Sequence, residues 1–144
     1  MLSLHALTRR SSSPTTGARQ RRAEPRLRVL VVDDDARIRR GLRELIDASS
    51  DAGVVGQAAS RGSALTLDLE LRPDVAVVDV LLPYADDGLD VLEQLTARGR
   101  ATIAISVRPD LASLALAAGA RTFLAKGPPL LGRLLQAIRE GATQ

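Results

Sequence analysis

The residue types that this sequence lacks limit the chemistry available to it. There is no cysteine, so the chain can form neither disulfides nor cysteine-ligated metal sites. A single histidine also leaves it without the ligands of an ordinary zinc site. Any metal bound by this chain would therefore be a hard cation held by oxygen ligands.

Aromatic residues are almost absent. The 144 residues include one Tyr, one Phe and no Trp, although 45% of the chain is hydrophobic. This length suffices for one domain with a buried core, which must be built from Val, Leu, Ile and Ala. No apolar run reaches membrane-spanning length and no secretory signal is evident, so we expect a cytoplasmic protein without a membrane partner.

Lysine is nearly absent as well. Lys126 is the single lysine, so the other 19 of the 20 basic residues are arginine. Lysine offers a compact charge on a flexible stem, whereas arginine offers a planar fork. An isolated lysine in an arginine-using chain marks a position where the geometry of the contact matters.

The charge is distributed unevenly along the chain. Residues 1–26 carry six Arg and one Glu (+5), and residues 27–144 carry 14 basic and 16 acidic residues (−2), which together give the net charge of +3. The first segment is rich in Ser and Arg and has no apolar periodicity, which predicts a disordered basic tail. We therefore expect residues 27–144 to form the folded domain.

From Leu27 onward, apolar runs alternate with helical patterns. Five runs are typical of strands buried on both faces, and five segments have helical periodicity or helix-starting residues. The predicted strands are 27–32, 53–60, 74–82, 101–106 and 122–126, and the predicted helices are 36–49, 62–73, 88–99, 110–120 and 128–142. This alternation predicts an α/β fold with a doubly wound, five-stranded parallel sheet.

Four of the five predicted strands end in a polar group. They deliver Asp33, Asp34 and Asp35 after the first strand, Asp79 in the third, Ser106 in the fourth and Lys126 in the fifth. Function in open α/β sheets lies at the carboxyl ends of the strands. Crowded carboxylates favour a hard cation such as Mg²⁺, and a carboxylate, a metal, a hydroxyl and an ammonium together predict a phosphoryl site.

The segments "VLVVDDDARIRRGLRELI", "PDVAVVDVLLP", "TIAIS" and "AGARTFLAKGPP" resemble the receiver domains of two-component response regulators. The similarity covers residues 27–140 in order, and the last segment is most similar to receivers of LuxR/NarL-type regulators. The resemblance implies a flavodoxin-like (βα)5 fold with strand order 2-1-3-4-5. It places the site at the switch between the first and third strands.

The resemblance also implies roles for the metal-binding and phospho-accepting residues. Asp79 corresponds to the phospho-acceptor, which takes a phosphoryl group from a phosphohistidine. Asp34 and Asp79 correspond to direct Mg²⁺ ligands, Asp33 to an acid acting largely through water, and the backbone carbonyl of Leu81 to a further ligand.

Three more residues have counterparts in the family. Ser106 corresponds to the switch hydroxyl and Lys126 to the phosphate-contacting lysine. Phe123 lies at the position of the aromatic switch residue, although composition alone would make it a core residue.

The family resemblance further implies partners. A histidine kinase or phosphotransfer protein would supply the phosphoryl group. The face formed by the fourth helix, fifth strand and fifth helix would then bind a downstream protein or a second copy. We expect no enzymatic activity beyond self-phosphorylation and autodephosphorylation, and no nucleic-acid partner for this chain alone.

Three features depart from the family pattern. The "YADDG" loop is one residue longer than the common form. Val107 replaces a small residue and could restrict access to Asp79, and Gly127 separates Lys126 from the proline that would follow it directly. These departures bear on the rate of phosphorylation rather than on its existence.

Two alternatives remain open at this point. The chain could be a fragment of a DNA-binding transcriptional regulator whose output domain lies elsewhere. It could also be an Asp-nucleophile phosphatase with Asp33 as nucleophile and Asp35 as acid/base, although that leaves Asp79 without a role. Asp35 is also well placed to cap the following helix.

Overall fold

A computed structural model describes residues 26–143, so the predicted disordered tail lies almost wholly outside the described part. Within the described residues, strands and helices alternate strictly. A single 3-10 turn, Pro109–Leu111, precedes the fourth helix. The elements are β1 Leu27–Val32, α1 Ala36–Asp47, β2 Ala52–Ala58, α2 Arg61–Leu71, β3 Val75–Asp79, α3 Ala85–Ala97, β4 Ala101–Ser106, α4 Ala112–Ala117, β5 Thr122–Ala125 and α5 Pro128–Ala142.

The five strands form one parallel sheet in the order β2-β1-β3-β4-β5, as predicted. Every residue of β3 and β4 is buried, which explains why these strands are nearly unbroken apolar runs. The strand order reverses between β1 and β3. Their carboxyl ends therefore meet at the edge of the sheet where an α/β fold forms its site.

Alternate strand residues face two separate cores. Val29 and Val31 point to the layer of α1 and α5, which contributes Leu42, Ile46 and Leu134. Neighbouring residues on the same strands point to the layer of α2, α3 and α4. That second core contains Leu30, Val32, Ala64, Val91, Leu92, Leu95 and Ala115. Helices thus cover both faces of the sheet and leave its carboxyl edge open for polar groups.

Local sequence signals fix several helix ends. Asp35 caps α1, and its side chain accepts a hydrogen bond from Arg37 N at 2.9 Å, as expected for an N-cap. Ser60 caps α2 through reciprocal bonds with Ser63. Gly99 follows α3 with φ +89°, a left-handed conformation that glycine adopts without steric cost.

Two helices differ from the sequence prediction. The α3 helix begins at Ala85, three residues before the predicted start, because the backbone N–H groups of Asp87 and Gly88 already bond to Tyr84 O. The α4 helix spans only six residues, since Pro109 starts a 3-10 turn ahead of it. No helix among residues 26–143 is long and apolar enough to cross a membrane.

Candidate metal and phosphoryl site

Three carboxylates converge at the carboxyl edge. Each of Asp33, Asp34 and Asp79 places a carboxylate oxygen within 4.8 Å of the other two. Asp33 and Asp79 are buried, whereas Asp34 is exposed. The topology explains this arrangement, because Asp33 directly follows β1 and Asp79 ends the adjacent strand β3.

Lys126 reaches this cluster from the far side of the sheet. Its Nζ lies 2.8 Å from Asp33 Oδ2 and 3.0 Å from Asp79 Oδ2. Lys126 follows β5, and its backbone N–H donates to Ser106 O at the end of β4 at 2.8 Å. The ammonium must therefore extend past the end of β4 to reach Asp79 on β3, which requires a long, slender side chain.

The two carboxylate oxygens of Asp33 have different partners. Its Oδ1 accepts from Asp35 N at 2.9 Å. Its Oδ2 is buried and forms an ion pair with Lys126 Nζ at 2.8 Å. A hard cation beside these acids would offset the negative charge that the single ammonium leaves uncompensated.

Burial and charge shift the pKa of both partners in the Asp79–Lys126 contact. Burial is the largest effect on Asp79 and raises its pKa to about 6, with a further upward contribution from the Asp33 charge, although the hydrogen bond from Lys126 opposes the shift. Burial also acts to lower the pKa of Lys126, but the attraction of Asp33 and Asp79 outweighs it, so that pKa is raised. The cluster thus carries more buried negative charge than one lysine compensates.

Ser106 lies on the same edge, between Asp79 and Lys126 in strand order. It is fully buried at the end of β4, and its Oγ accepts a hydrogen bond from Arg108 N at 3.1 Å. Because this bond uses only an oxygen lone pair, the hydroxyl proton is free to donate to a group bound beside Asp79.

Phe123 lies on β5, next to the site but not in it. It is half-buried and packs against the core that α2, α3 and α4 share with the sheet. With Lys126, Pro129 and Leu130 it also lines a cavity of about 190 Å³ between β5 and α5. Phe123 therefore packs as a core residue, and its switching role stays a prediction.

Leu81 and Val107 flank the acids. Leu81 is half-buried, and its backbone N–H donates to Asp79 Oδ1 at 3.1 Å. Val107 follows Ser106 and is 65% exposed. Its side chain therefore stands at the open edge of the sheet rather than filling the core. The backbone carbonyl of Leu81 stays a predicted ligand.

Two residues that no sequence motif marks also shape this site. Arg39 on α1 donates from Nη1 to the backbone carbonyl of Asp33 at 2.6 Å. Gly88 in α3 packs so tightly on the end of β3 that a Cβ there would lie 1.9 Å from Val80 O and 2.6 Å from Asp79 O. Only the glycine of "DDG" at a helix start hinted at such a close approach.

Comparison with known proteins agrees with this geometry. The sequence model of the response regulator receiver domain matches residues 29–139. The chain belongs to this family. Receiver domains are signalling modules that typically accept a phosphoryl group with the help of Mg²⁺, and the acid cluster at the carboxyl edge is what such a module requires.

Receivers with different outputs are among the relatives of this chain. It is 35% identical over 124 residues to a protein-glutamate methylesterase/protein-glutamine glutaminase of Nocardioides sp., covering 81% of this chain and 34% of that protein. It is 38% identical over 104 residues to the DNA-binding transcriptional activator DevR/DosR of Mycobacterium tuberculosis, covering 69% of this chain and 48% of the relative. The chain therefore spans between a third and a half of these two relatives.

Solved receiver structures share the fold. The signal receiver domain of the response regulator NarL from Mycobacterium tuberculosis superposes with a TM-score of 0.74 at 29% identity, covering 83% of this receiver and 98% of that chain. The predicted resemblance to NarL-type receivers is confirmed, and the fold prediction with it.

Proposed function

We propose that this receiver takes a phosphoryl group from a histidine kinase or phosphotransfer protein onto Asp79. The observation that carries the proposal is the bridge that Lys126 Nζ makes between Asp33 and Asp79, at 2.8 Å and 3.0 Å, within a cluster of three carboxylates. We take residues 27–144 as the functional unit and expect it in the cytoplasm.

In the proposed step, a carboxylate oxygen of Asp79 attacks the phosphorus of a phosphohistidine. An O–P bond forms, the P–N bond breaks, and the imidazole leaves with the electron pair and takes up a proton. The buried position of Asp79 supports this role, because a desolvated carboxylate is a stronger nucleophile than a hydrated one. The product is an acyl phosphate on Asp79.

Lys126 and Ser106 would stabilise that product. The Lys126 ammonium would exchange its contact with Asp79 Oδ2 for one phosphoryl oxygen, while keeping its contact with Asp33. The Ser106 hydroxyl would donate to a second oxygen. Ser106 ends β4, which pairs with β3, and the Lys126 ammonium already contacts Asp79, so the exchange needs side-chain movement and no change in the sheet.

The residues present fit Mg²⁺. Asp34 and Asp79 would bind the ion directly through carboxylate oxygens, Asp33 would act largely through water, and we propose the Leu81 carbonyl as a further ligand. When bound, the ion offsets the negative charge of the carboxylates and of the phosphoryl oxygens.

The signal would leave the site through β4 and β5. Movement of Ser106 toward the phosphoryl group would let Phe123 rotate inward, which would change the face of α4, β5 and α5. That face exposes Leu114, Leu116 and Leu131, and we propose that it binds a downstream protein or a second copy. We propose no enzymatic reaction for this chain beyond its own phosphorylation and dephosphorylation.

Beryllofluoride binding, followed by ¹⁹F NMR, tests the proposal. We expect a Mg²⁺-dependent bound signal with the wild-type chain and none with Asp79→Asn. Persistent binding to Asp79→Asn would overturn the assignment of the acceptor. If Val107 limits access, Val107→Ala should speed labelling by acetyl phosphate and leave beryllofluoride affinity unchanged.

A further inference from the structure

Helix α1 begins in an unusual way for its electrostatics. Three of its first five residues are the arginines Arg37, Arg39 and Arg40, and its first turn contains no acidic residue. The N-terminal end of a helix carries partial positive charge and disfavours cations. A local preference broken beside a functional site points to a role at that site.

Only one of these arginines is anchored. The Arg39 side chain is half-buried, and its Nη1 donates to the Asp33 carbonyl at 2.6 Å. Arg37 and Arg40 are exposed, and within residues 26–143 their side chains form no hydrogen bond or ion pair. The helix therefore offers a matched pair, Arg39 with a defined contact and Arg40 without one.

The contact falls on a short and demanding stretch of backbone. Only three residues connect β1 to α1, and two of them belong to the acid cluster. The Asp33 N–H bonds to Ala58 O at 3.0 Å, and the Asp33 Oδ1 accepts from Asp35 N. The Asp33 carbonyl follows the last paired residue of β1, and its described donor is Arg39.

We infer that Arg39 is a positioning residue for the metal site, holding the peptide between Asp33 and Asp34 so that both carboxylates face Asp79. The inference rests on the proposed function, because it assumes that the cluster binds Mg²⁺. Arg39 contacts none of the carboxylates and acts through the backbone of Asp33.

Charge and positioning predict opposite effects of removing this arginine. A guanidinium near the cluster repels Mg²⁺, so deleting its charge alone would tighten metal binding. Loss of the backbone tether would let the acids move apart and would weaken binding. The sign of the change therefore separates the two explanations.

The test is a Mg²⁺ titration of the full chain, followed by backbone amide NMR, for wild type, Arg39→Ala, Arg39→Lys and Arg40→Ala. We expect Arg39→Ala to weaken binding roughly tenfold, the scale of losing an outer-shell partner of a metal ligand. Arg40→Ala should bind as tightly as wild type or more tightly. Arg39→Lys should lie between, since one ammonium can still donate to the carbonyl.

A second measurement needs no metal. Hydrogen exchange of the Asp35 amide in EDTA, taken relative to a core amide such as that of Val77, should be faster in Arg39→Ala and unchanged in Arg40→Ala. The inference would be overturned if Arg39→Ala showed unchanged relative exchange, or if it bound Mg²⁺ as tightly as the wild type or more tightly. Absence of Mg²⁺ binding by the wild type would instead overturn the proposed function, and the exchange result would still decide the positioning role.

Discussion

The sheet uses positive charge differently at its carboxyl edge, where the strands end, and at its amino edge, where the strands begin. At the carboxyl edge, the single lysine bridges two buried acids. At the amino edge, arginines bond to the last carbonyls of helices, as Arg28 does with Leu71 O at 2.5 Å and Arg121 with Gly141 O. The lysine at the carboxyl edge can exchange its partners, whereas the arginine bonds at the amino edge are structural.

The physical reason lies in the two side chains. The end of a helix leaves several carbonyls without partners, and a planar guanidinium can satisfy more than one of them at a fixed angle. An ammonium has no preferred plane, so it can transfer between a carboxylate and a phosphoryl oxygen at little cost. The choice of lysine at position 126 thus follows from what the carboxyl edge must do.

Asp68 is the amino-edge counterpart of Asp79. Both are buried, but Asp68 is paired with Arg98 at 2.9 Å and Arg100 at 2.7 Å, and both of its oxygens are satisfied. Asp79 has a single ammonium that it shares with Asp33. A fully paired buried acid holds α2 against the end of α3, whereas an underpaired one leaves room for a ligand.

Asp68→Ala should cause the largest loss of stability among the changes considered. It leaves two arginines facing a buried site without their acid, which costs about 3 kcal/mol in the free energy of unfolding. Urea denaturation checks this value. The exposed pair of Asp110 with Arg108 supplies the control, since Asp110→Ala should leave the denaturation midpoint nearly unchanged. Equal losses of stability in the two variants would contradict the distinction between a buried and a surface ion pair.

Exchanging lysine and arginine should slow phosphorylation at position 126 of the carboxyl edge but not at position 121 of the amino edge. Lys126→Arg keeps the charge, but the fork cannot occupy the space of one ammonium between Asp33 and Asp79. We expect phosphorylation by acetyl phosphate to slow about 100-fold, the scale of losing one preorganised donor. Arg121→Lys at the amino edge should label at the wild-type rate. Normal labelling of Lys126→Arg would contradict our explanation of the lone lysine.

Gly88→Ala should lower both the stability of the protein and its affinity for Mg²⁺. The new methyl would overlap Val80 O, so the loop after β3 must shift, at a cost of about 2 kcal/mol of stability. Mg²⁺ affinity should fall as well, because Asp79 moves with the loop. Gly132→Ala in α5 is the matched control. It meets no atom within 4 Å and should stabilise the chain by about 0.5–1 kcal/mol.

Asp79→Asn should stabilise the metal-free protein at neutral pH. The folded-state pKa of Asp79 is raised to about 6, so the folded state binds more protons than the unfolded state between pH 4 and 6. Wild-type stability in EDTA should therefore fall as pH rises through this window. Asp79→Asn should be more stable by about 1–2 kcal/mol at pH 7, with the difference vanishing near pH 4.

Magnesium should narrow that difference. At ten times its Kd, Mg²⁺ would add about 1.4 kcal/mol to the wild type and less to Asp79→Asn. Thermal unfolding at pH 7 with EDTA or with Mg²⁺ measures both effects. If the wild type were more stable than Asp79→Asn in EDTA at pH 7, the buried charge of Asp79 would not destabilise the folded protein.

Much of this molecule could be predicted from the sequence. Apolar strands and their polar ends gave the sheet, its carboxyl edge and the convergence of Asp33, Asp34, Asp79 and Lys126. These features follow from local patterns, because each strand end delivers its side chain to a place that the topology alone determines.

Other features depend on contacts that no local pattern encodes. Arg39 resembles the exposed Arg40 beside it, and only the path of the backbone at Asp33 separates them. Asp68 has the pattern of an ordinary helical acid, yet it is fully buried. The helix predicted to begin at Asp110 begins at Ala112 instead, because Pro109 starts a 3-10 turn and the Asp110 side chain pairs with Arg108.

The most direct test of the central claim is chemical mapping of the phosphorylated residue. Borohydride reduces an aspartyl phosphate to homoserine, which peptide mass spectrometry then locates. After treatment with acetyl phosphate and Mg²⁺, we predict homoserine at position 79 in the wild type and at no position in Asp79→Asn. Homoserine at position 33, the nucleophile of the phosphatase alternative, would contradict the account.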